Sequence, residues 1–467
     1  MSKKRSSKES AAPQNGSKRR LFGTDGVRGR ANEPPMVPEL LLRLGRAVAH
    51  VAGRGKAHAP RVLIGKDTRL SGYMIETALA SGICAMGGRV ILCGPVPTPA
   101  VAYLTTSMRA DAGIVISASH NPYDDNGVKI FGPDGFKLPD SAEEEIEALI
   151  ESDGMMMTGP GIGRAERIED ARGRYVVFLK STFPQDLTLE GVHIVVDAAH
   201  GAAYRTAPMV FTELGAKVSA IGVKPNGTNI NKDCGALHPD HVRAEVVRRG
   251  AQLGVALDGD ADRLILIDEK GQVVDGDAVM SICAAGMLER GTLLKRTVVA
   301  TVMSNLGLER ALEAKGARLL RTQVGDRYVV EEMRRGGYNL GGEQSGHLVF
   351  LDHASTGDGT LAALQVLAVA LRAQKPISVL AAAALERVPQ VLHNVTLPAR
   401  RAIEEMPKLR AHITRVEGTL GRKGRVLVRW SGTEAKLRIM LEGPKESQLR
   451  SWASELEGAA RSDLSTS

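Results

Sequence analysis

The sequence predicts an α/β protein of several domains, and three observations lead to this prediction. The chain has 467 residues, whereas a domain has about 100–200 residues, so we expect three or four domains. Short apolar segments alternate with segments of helical length, which is typical of βαβ units and of mixed or parallel sheets. The alternation stops near residue 388, and the last part of the chain has the pattern of an antiparallel α+β unit.

The strand candidates of the α/β part fall into three groups of similar length, which suggests one architecture used three times. They are residues 61–65, 89–93 and 113–117, then 193–197, 217–222 and 253–258, then 297–301, 318–322 and 338–342. In the last part, the candidates are residues 391–397, 425–430 and 437–441. We therefore expect domains over residues 21–171, 172–275, 276–387 and 388–467, preceded by a tail over residues 1–20.

Composition and charge favour a globular body with a basic tail. Hydrophobic residues make up 43% and charged residues 24% of the chain, as in ordinary globular proteins. Residues 1–20 hold seven basic side chains and one acidic side chain, a net charge of +6 out of +8 for the chain. This tail is also rich in Ser, Gly and Pro, so we expect it to be disordered. The nearly neutral body and an aromatic content of 3% argue against nucleic-acid binding as the main function.

Neither a membrane nor an oxidising compartment is indicated. No apolar run reaches the ~18 residues that span a bilayer, and no apolar segment follows the basic N-terminus as it does in a secretory signal. The cysteines, at positions 84, 93, 234 and 283, are far apart, which favours structural thiols over a zinc site or a disulfide framework. We expect a cytoplasmic protein.

A polar loop over residues 117–129 follows the apolar segment 113–116. It contains Ser119, which we expect to be exposed, with His120 and Lys129 within reach along the chain. Serine is a poor nucleophile unless a base or a cation assists it, and the loop offers both. The alternative is a capping turn, because Ser, Asn and Asp also favour turns through hydrogen bonds to the backbone.

An acidic loop carries Asp258, Asp260 and Asp262 at alternate positions. Three such carboxylates repel one another unless a cation lies between them, and along an extended strand they would span roughly 13 Å. Metal–oxygen contacts are much shorter, so the segment has to curl, and Gly259 permits this. Oxygen ligands favour Mg²⁺ or Mn²⁺ over zinc.

Two other interpretations of the acidic loop remain. A calcium loop is one, because Glu269 stands at its twelfth position, although Arg263 replaces the glycine that such a loop needs. The flanking segments 253–257 and 264–268 also have the pattern of strands rather than of the helices that flank a calcium loop. The other is an acidic turn with a structural role only.

A glycine-rich loop over residues 341–347 contains Glu343, Ser345 and His347. Hydrogen-bond donors and acceptors in so short a loop suit a ligand with several hydroxyl groups. The alternative is an ordinary glycine-rich turn.

The last polar loop lies between two arginines, Arg429 and Arg438, and contains Ser431, Gly432 and Thr433. Hydroxyl groups, backbone N–H groups and guanidinium groups together make a cradle for a phosphate. A hairpin turn with surface arginines is the alternative. The chain lacks the spacing of an ATP-binding P-loop, so ATP is not an expected ligand.

Taken together, the four loops resemble those of the α-D-phosphohexomutase superfamily, in the same order: phosphoserine, metal, sugar and phosphate loops. The resemblance covers residues 21–445. Within the superfamily, three segments resemble the bacterial phosphoglucosamine mutases: Phe-Gly-Thr-Asp-Gly-Val-Arg-Gly at 22–29, Val-Gly-Asp-Arg-Tyr at 324–328 and Gly-Glu-Gln-Ser-Gly-His at 342–347. The resemblance implies three related α/β domains with mixed sheets and a C-terminal α+β domain around a central cleft, each giving one loop.

The resemblance also implies a role for each candidate residue. Ser119 would be phosphorylated, and with Asp258, Asp260 and Asp262 it would bind one Mg²⁺ per chain. Near the reacting phosphoryl group would lie Arg28, Lys129 and Arg263, of which Lys129 is the preferred proton-transfer group. Sugar hydroxyls would bind Glu343 and Ser345, with His347 close by. The phosphate that does not react would bind Arg429, Ser431, Gly432, Thr433 and Arg438.

The implied reaction interconverts glucosamine 6-phosphate and glucosamine 1-phosphate, on the route to UDP-N-acetylglucosamine and peptidoglycan. A 1,6-bisphosphate of glucosamine would be the intermediate, and this compound or glucose 1,6-bisphosphate the activator. A homodimer is also implied. The alternatives are a phosphomannomutase or phosphoglucomutase of the same architecture, a phosphatase with Asp258 as nucleophile, and a nucleic-acid-binding protein that uses the tail.

Overall fold

The structure, a computed structural model, describes residues 21–23, 25–152, 161–431 and 436–465. These residues form four domains, each built around its own sheet. The predicted basic tail lies outside the described residues.

The first domain has a mixed sheet of six strands in the order β1-β5-β4-β2-β3-β6. Its elements are β1 (Val27–Arg30), α1 (Pro38–Gly53), β2 (Arg61–Lys66), α2 (Ser71–Ala85), β3 (Arg89–Pro95), α3 (Thr98–Ser107), β4 (Ala112–Ile116), β5 (Asp125–Phe131), α4 (Asp140–Glu151) and β6 (Arg164–Arg167). A helix, α5 (Ala171–Ser181), leads to the second domain.

The second domain has five strands in the order β11-β10-β9-β7-β8. Its elements are β7 (His193–Asp197), α6 (Thr206–Glu213), β8 (Lys217–Ile221), α7 (Asp240–Arg249), β9 (Leu253–Leu257), β10 (Leu264–Asp268) and β11 (Val273–Val274).

The third domain has four strands in the order β13-β12-β14-β15. Its elements are α8 (Gly276–Glu289), β12 (Thr297–Thr301), α9 (Leu306–Ala314), β13 (Arg318–Thr322), α10 (Asp326–Gly336), β14 (Leu340–Gly342), β15 (Leu348–Phe350), α11 (Gly359–Ala373) and α12 (Ile377–Ala384).

The fourth domain is an antiparallel sheet of three strands, in the order β16-β18-β17, with two long helices. Its elements are β16 (Gln390–Thr396), α13 (Pro407–Leu420), β17 (Arg425–Trp430), β18 (Lys436–Glu442) and α14 (Glu446–Ser465). Three short 3₁₀ helices complete the described structure, at Leu294–Arg296, Ile403–Glu405 and Gly421–Lys423.

The first three sheets share one arrangement of four strands. In each, a central strand has parallel neighbours on both sides, and the second of these neighbours pairs with an antiparallel fourth strand. The four strands are β2, β3, β4 and β5, then β7, β8, β9 and β10, then β12, β13, β14 and β15. The predicted fold class is therefore confirmed, and the suggested threefold use of one architecture is seen in the topology. Three of the four predicted loops, the phosphoserine, acidic and sugar loops, occupy the same place in this arrangement, between its third and fourth strands.

The burial of four inner strands agrees with their sequences. Strands β4, β7, β9 and β12 are buried along their whole length, because helices cover both faces of such a sheet, and they are therefore almost continuously apolar. The strand candidates are found within two residues of their predicted positions. The edge strands β1 and β6 were missed because their sequences, Val-Arg-Gly-Arg and Arg-Ala-Glu-Arg, are mostly polar.

One apolar core runs through the first three domains. It includes Leu63 of β2, Tyr175 of α5, Ile194 of β7, Met280 of α8 and Leu364 of α11. The fourth domain packs α14 on β16 and β18 and α13 on β17, around a separate apolar cluster.

Among the described residues, no single helix is long and apolar enough to cross a membrane. Helices α11 and α12 together have the length and composition, but they are bent by 99° relative to each other. Ten residues of α11 are buried, so it belongs to the core that the first three domains share.

Candidate active site

Ser119 lies in the connection between β4 and β5, and 1% of its surface is exposed. The expectation of an exposed serine is therefore wrong, because the acidic loop of the second domain covers it. Its hydroxyl donates a hydrogen bond to Asp258 Oδ2 at 2.7 Å and lies 3.2 Å from His120 Nδ1. The hydroxyl that the sequence singled out thus points directly at the acidic loop.

The three aspartates lie in the connection between β9 and β10, which curls as expected. Ala261 takes a left-handed φ of 58°, and carboxylate oxygens of Asp258, Asp260 and Asp262 come within 4.8 Å of one another. All three side chains are buried. Burial, reinforced by the other two carboxylates, raises the pKa of Asp258 well above its usual value. The repulsion that the sequence predicted is therefore present in the folded protein.

The acidic loop could hold a hard metal ion. Asp260 Oδ2 accepts hydrogen bonds from Thr98 Oγ1 at 2.7 Å and Lys129 Nζ at 3.2 Å. The second oxygens of Asp260 and Asp262 are buried without a hydrogen-bond partner among the described residues. Buried carboxylate oxygens without partners are costly, and coordination of a cation would satisfy them. The all-oxygen donor set fits Mg²⁺ better than zinc.

The calcium-loop alternative finds no support. The flanking segments are the strands β9 and β10 rather than helices. Glu269, the candidate for its twelfth position, instead accepts hydrogen bonds from the backbone N–H and the hydroxyl of Ser378.

Lys129, in β5, lies among three carboxylates. Its Nζ is 3.2 Å from Asp25 Oδ2, 3.2 Å from Asp260 Oδ2 and 3.4 Å from Asp262 Oδ2. Burial lowers the pKa of Lys129, but Asp25, Asp260 and Asp262 outweigh it and hold the pKa well above its usual value. Lys129 is therefore a buried cation at the edge of the acidic loop.

Two arginines supply further positive charge near Ser119. Arg28 forms an ion pair with Asp25, and Arg263 Nε lies 3.9 Å from Asp262 Oδ1. Burial, together with the charges of Arg263 and Arg28, lowers the pKa of His120 to about 4. The imidazole next to Ser119 is therefore neutral at pH 7.

The predicted sugar loop connects β14 and β15 and adjoins the acidic loop. Leu264 N donates to Gly346 O at 3.0 Å, and Arg263 and His347 form a β-bridge. Glu343 accepts hydrogen bonds from Gly325 N at 3.2 Å and Ser345 Oγ at 3.4 Å. Both ring nitrogens of His347 are buried without a hydrogen-bond partner among the described residues. The loop therefore keeps unsatisfied polar atoms beside the acidic cluster.

The predicted phosphate loop lies in the fourth domain, where Arg429 and Arg438 face each other across β17 and β18. Arg438 Nη2 donates a hydrogen bond to Ser431 Oγ at 3.4 Å. Burial and the charge of Arg438 lower the pKa of Arg429. Like charges directly opposite in a sheet are destabilising, and neither arginine forms an ion pair with a carboxylate of the described residues. This pair of arginines is therefore suited to binding an anion. Gly432 and Thr433, the other predicted residues of this loop, lie outside the described residues.

The structure thus brings the phosphoserine, acidic and sugar loops into direct contact. Within the described ranges, no hydrogen bond or ion pair joins Arg429, Ser431 or Arg438 to these three loops.

Sequence reasoning missed four charged or polar side chains of this site. Asp25 Oδ1 pairs with Lys137 Nζ at 2.5 Å, and Lys137 Nζ pairs with Asp326 Oδ2 at 2.6 Å. Asp326 Oδ2 in turn lies 3.5 Å from His347 Nε2. Asp25 and Asp326 lie within the segments 22–29 and 324–328, which resemble the family, so these two residues could have been predicted from the sequence. Lys137, and Thr98 beside Asp260, lie outside every motif.

Four family models match the chain, one for each domain. They describe phosphoglucomutase/phosphomannomutase, with alpha/beta/alpha domain I at residues 19–156, domain II at 174–271, domain III at 275–388 and the C-terminal domain at 392–459.

Curated relatives match nearly the whole chain. The phosphoglucosamine mutase of Sorangium cellulosum is 66% identical over 96% of this chain and 94% of its own length. That of Myxococcus xanthus is 60% identical over 96% of this chain and 98% of its own length.

Solved structures share the fold at low sequence identity. A phosphoglucomutase/phosphomannomutase family protein from Burkholderia thailandensis has a TM-score of 0.79 at 24% identity, over 94% of this chain and 97% of its own. The N-acetylphosphoglucosamine mutase of Aspergillus fumigatus, in complex with GlcNAc-6P and magnesium, has a TM-score of 0.67 at 17% identity, over 95% and 96%. Together with the four domains and the loops that meet at Ser119, these matches show that the chain belongs to the phosphoglucosamine mutase family.

Proposed function

We propose that this protein interconverts glucosamine 6-phosphate and glucosamine 1-phosphate, with Ser119 as the residue that carries the phosphoryl group. The proposal rests on the contact of 2.7 Å between Ser119 Oγ and Asp258 Oδ2, because a hydroxyl group beside a site that fits a metal ion could serve as a nucleophile. The curated relatives support glucosamine phosphate as the substrate.

Asp258, Asp260 and Asp262 would hold one Mg²⁺ per chain, with an oxygen of the Ser119 phosphoryl group as a further ligand. When bound, the ion supplies positive charge that offsets the negative charge of a transferring phosphoryl group. The unpartnered oxygens of Asp260 and Asp262 support this assignment.

The reaction would run through two balanced transfers. In the first, the bond between phosphorus and Ser119 Oγ breaks and Ser119 Oγ takes up a proton. A bond forms from phosphorus to the oxygen of the free sugar hydroxyl, which gives up its proton. The product is a sugar 1,6-bisphosphate, here glucosamine 1,6-bisphosphate, with glucose 1,6-bisphosphate as an activator. In the second transfer, Ser119 Oγ gives up its proton and bonds to the other phosphorus atom, the bond between that phosphorus and its sugar oxygen breaks, and the sugar oxygen takes up a proton. Splitting the transfer through a covalent intermediate is nucleophilic catalysis.

The positive side chains would neutralise the transferring group. Lys129 lies between three carboxylates, which favour its charged form. We therefore favour a role in stabilising the negative charge of the phosphoryl group over the proton-transfer role preferred from the sequence. Arg28 and Arg263, whose Nε atoms lack a hydrogen-bond partner among the described residues, are available to phosphoryl oxygens.

The other two loops would hold the substrate. Glu343, Ser345 and His347 would bind sugar hydroxyls beside the acidic loop. Arg429, Ser431, Gly432, Thr433 and Arg438 would bind the phosphate that does not react. Because the intermediate has to turn round, both loops would have to accept either end of the sugar.

Replacement of Ser119 tests this proposal. We expect glucose 1,6-bisphosphate to add one phosphoryl group to the unphosphorylated protein, and the intact mass and peptide mapping to place it on Ser119. The variant Ser119→Ala should take up none and lose about 10³-fold or more of its mutase activity. Ser107→Ala, an exposed serine at the end of α3, is the matched control and should keep both.

Three results would contradict the proposal. Full activity of Ser119→Ala would exclude the covalent mechanism. A kcat/KM higher on glucose or mannose phosphates than on glucosamine phosphate would assign a different mutase, and net release of inorganic phosphate would indicate a phosphatase.

A further inference from the structure

The backbone of Ser119 is held in an uncommon conformation. Its φ is 51°, in the left-handed region that residues other than glycine seldom adopt. Ser119 lies in the connection between β4 and β5, and contacts around its peptide groups have to offset this strain.

Two side chains bind the carbonyl oxygen of Ser119. Asn231 Nδ2 donates to it at 2.8 Å, and Arg69 Nη2 donates to it at 3.2 Å. Both side chains also bind Asn121 O, at 3.0 Å and 2.6 Å respectively. We call Arg69 and Asn231 the Ser119 clamp.

The clamp is buried and itself held in place. Arg69 is 0% exposed and forms an ion pair with Asp67. Asp67 Oδ2 accepts a hydrogen bond from Ser117 Oγ at 2.5 Å, and Ser117 Oγ accepts one from Ser119 N at 2.9 Å. The peptide groups on both sides of Ser119 are therefore fixed by one connected network.

The clamp also joins two domains. Arg69 precedes α2 in the first domain, whereas Asn231 lies between β8 and α7 in the second. A Cβ atom at Gly259 would come within 2.6 Å of Ser119 O and 2.8 Å of Asn231 Nδ2. The acidic loop therefore packs directly against the clamped carbonyl, so the position of Ser119 relative to Asp258 depends on these contacts.

We propose that Arg69 and Asn231 are positioning residues that hold the Ser119 backbone so that its hydroxyl stays aligned with the acidic loop. The inference rests on the proposed function of Ser119. Both residues bind main-chain oxygens at Ser119 and Asn121, and Arg69 also approaches Pro122 O and Ser117 Oγ, so they act on phosphoryl transfer through Ser119. A displacement of about 1 Å at a reacting atom can cost about 100-fold in rate.

The variant Asn231→Gly tests the clamp. Asn231 has a φ of 59°, which glycine adopts without strain, so the substitution removes the side-chain amide and leaves the backbone conformation accessible. Asn32→Gly is the matched control, because Asn32 has a φ of 65° and is exposed.

Three measurements are made on the full-length protein. Phosphoryl uptake from glucose 1,6-bisphosphate, followed by intact mass in a single turnover, should be about 10- to 100-fold slower in Asn231→Gly. KM for glucosamine 6-phosphate should change less than about 2-fold, because the amide is not placed against substrate. Hydrogen exchange should become faster in the peptide that covers residues 117–123, and Asn32→Gly should match the wild type throughout.

The proposal is overturned if Asn231→Gly takes up phosphate at the wild-type rate, or if exchange accelerates across the whole first domain, which would indicate a general loss of stability. Arg69→Lys gives an independent test, because it keeps a cation opposite Asp67 but loses the forked guanidinium group that reaches the carbonyl oxygens. Phosphoryl uptake and hydrogen exchange at the wild-type rates in this variant would also contradict the clamp. If the wild type never takes up phosphate, the proposed function fails, whereas the exchange measurement still tests the clamp.

Discussion

At the residue scale, the site is organised by charges that alternate in sign. From Asp260, the chain of contacts runs through Lys129, Asp25 and Lys137 to Asp326. Each buried charge has opposite charges as neighbours, which offsets the cost of removing it from water. Because Asp326 begins α10 in the third domain, this chain connects the acidic loop with the domain that carries the sugar loop.

The substitution Lys137→Gln should be strongly destabilising. It leaves Asp25 and Asp326 without the cation between them, and loss of one partner of a largely buried ion pair costs on the order of 3 kcal/mol. Lys180→Gln, which breaks a surface pair with Glu213, is the control and should cost less than about 1 kcal/mol. Thermal unfolding measures both, and equal shifts in Tm would show that the alternating chain contributes no more than a surface pair.

At the element scale, Asp358 begins α11 and is fully buried beneath it. Its Oδ1 accepts a hydrogen bond from Leu361 N at 3.0 Å, as at a helix N-cap, and its Oδ2 accepts one from Tyr175 OH at 2.7 Å. Burial raises the pKa of Asp358 to about 6, although these hydrogen bonds oppose the shift. Tyr175, its ionisable partner, stays neutral because burial and Asp358 raise its own pKa well above the usual value.

This shift predicts a pH-dependent difference between the wild type and Asp358→Asn. The folded state binds the Asp358 proton more tightly than the unfolded state, so stability is lost as the pH rises from about 4 to about 6. Asparagine caps a helix nearly as well but does not titrate. From pH 4 to pH 7, the wild type should therefore lose about 2 kcal/mol relative to the variant.

The difference is measured as Tm at a series of pH values for both proteins. A gap between the two Tm curves that stays constant from pH 4 to pH 7 would contradict the assignment of this titration to Asp358.

At the scale of the whole molecule, Arg425 joins the fourth domain to the third through polar contacts. Its guanidinium donates to Val302 O at 2.8 Å and Ser304 O at 2.5 Å and forms an ion pair with Glu442. Glu442 is 0% exposed and also accepts a hydrogen bond from Leu306 N at 3.2 Å. Because this domain has its own core, we expect its position to depend on these contacts.

The substitution Arg425→Met should loosen the fourth domain. It leaves Glu442 buried without its ion-pair partner, at a cost of about 3–5 kcal/mol, and removes two hydrogen bonds to the third domain. We expect trypsin to cleave faster after Arg387, between the two domains. KM for glucosamine phosphate should rise about 10-fold, since Arg429 and Arg438, the proposed phosphate ligands, would no longer be held in one place.

Arg415→Met is the control, because Arg415 pairs with Glu455 on the surface of the fourth domain itself. It should leave cleavage and KM unchanged. Wild-type cleavage and KM in Arg425→Met would show that other contacts place the domain.

Much of this architecture was predictable because its signals are local. The buried strands β4 and β9 are runs of apolar residues, and the predicted phosphoserine and acidic loops begin where these runs end. The edge strands β1 and β6 were missed because their polar sequences pair only in the context of a sheet that is already present. The burial of Ser119 was missed for a related reason, since the loop that covers it lies about 140 residues further along the chain.

The sequence by itself determined the fold class, the four loops and the residue types that suit phosphoryl transfer, because apolar periodicity and short motifs are properties of neighbouring residues. Only the tertiary structure decided which side chains hold these loops together. Lys137, Arg69 and Asn231 stand in no motif, yet each bonds to residues far away in sequence. A buried charge or carbonyl must find a partner wherever the folded chain brings one close, and that choice depends on how the domains pack.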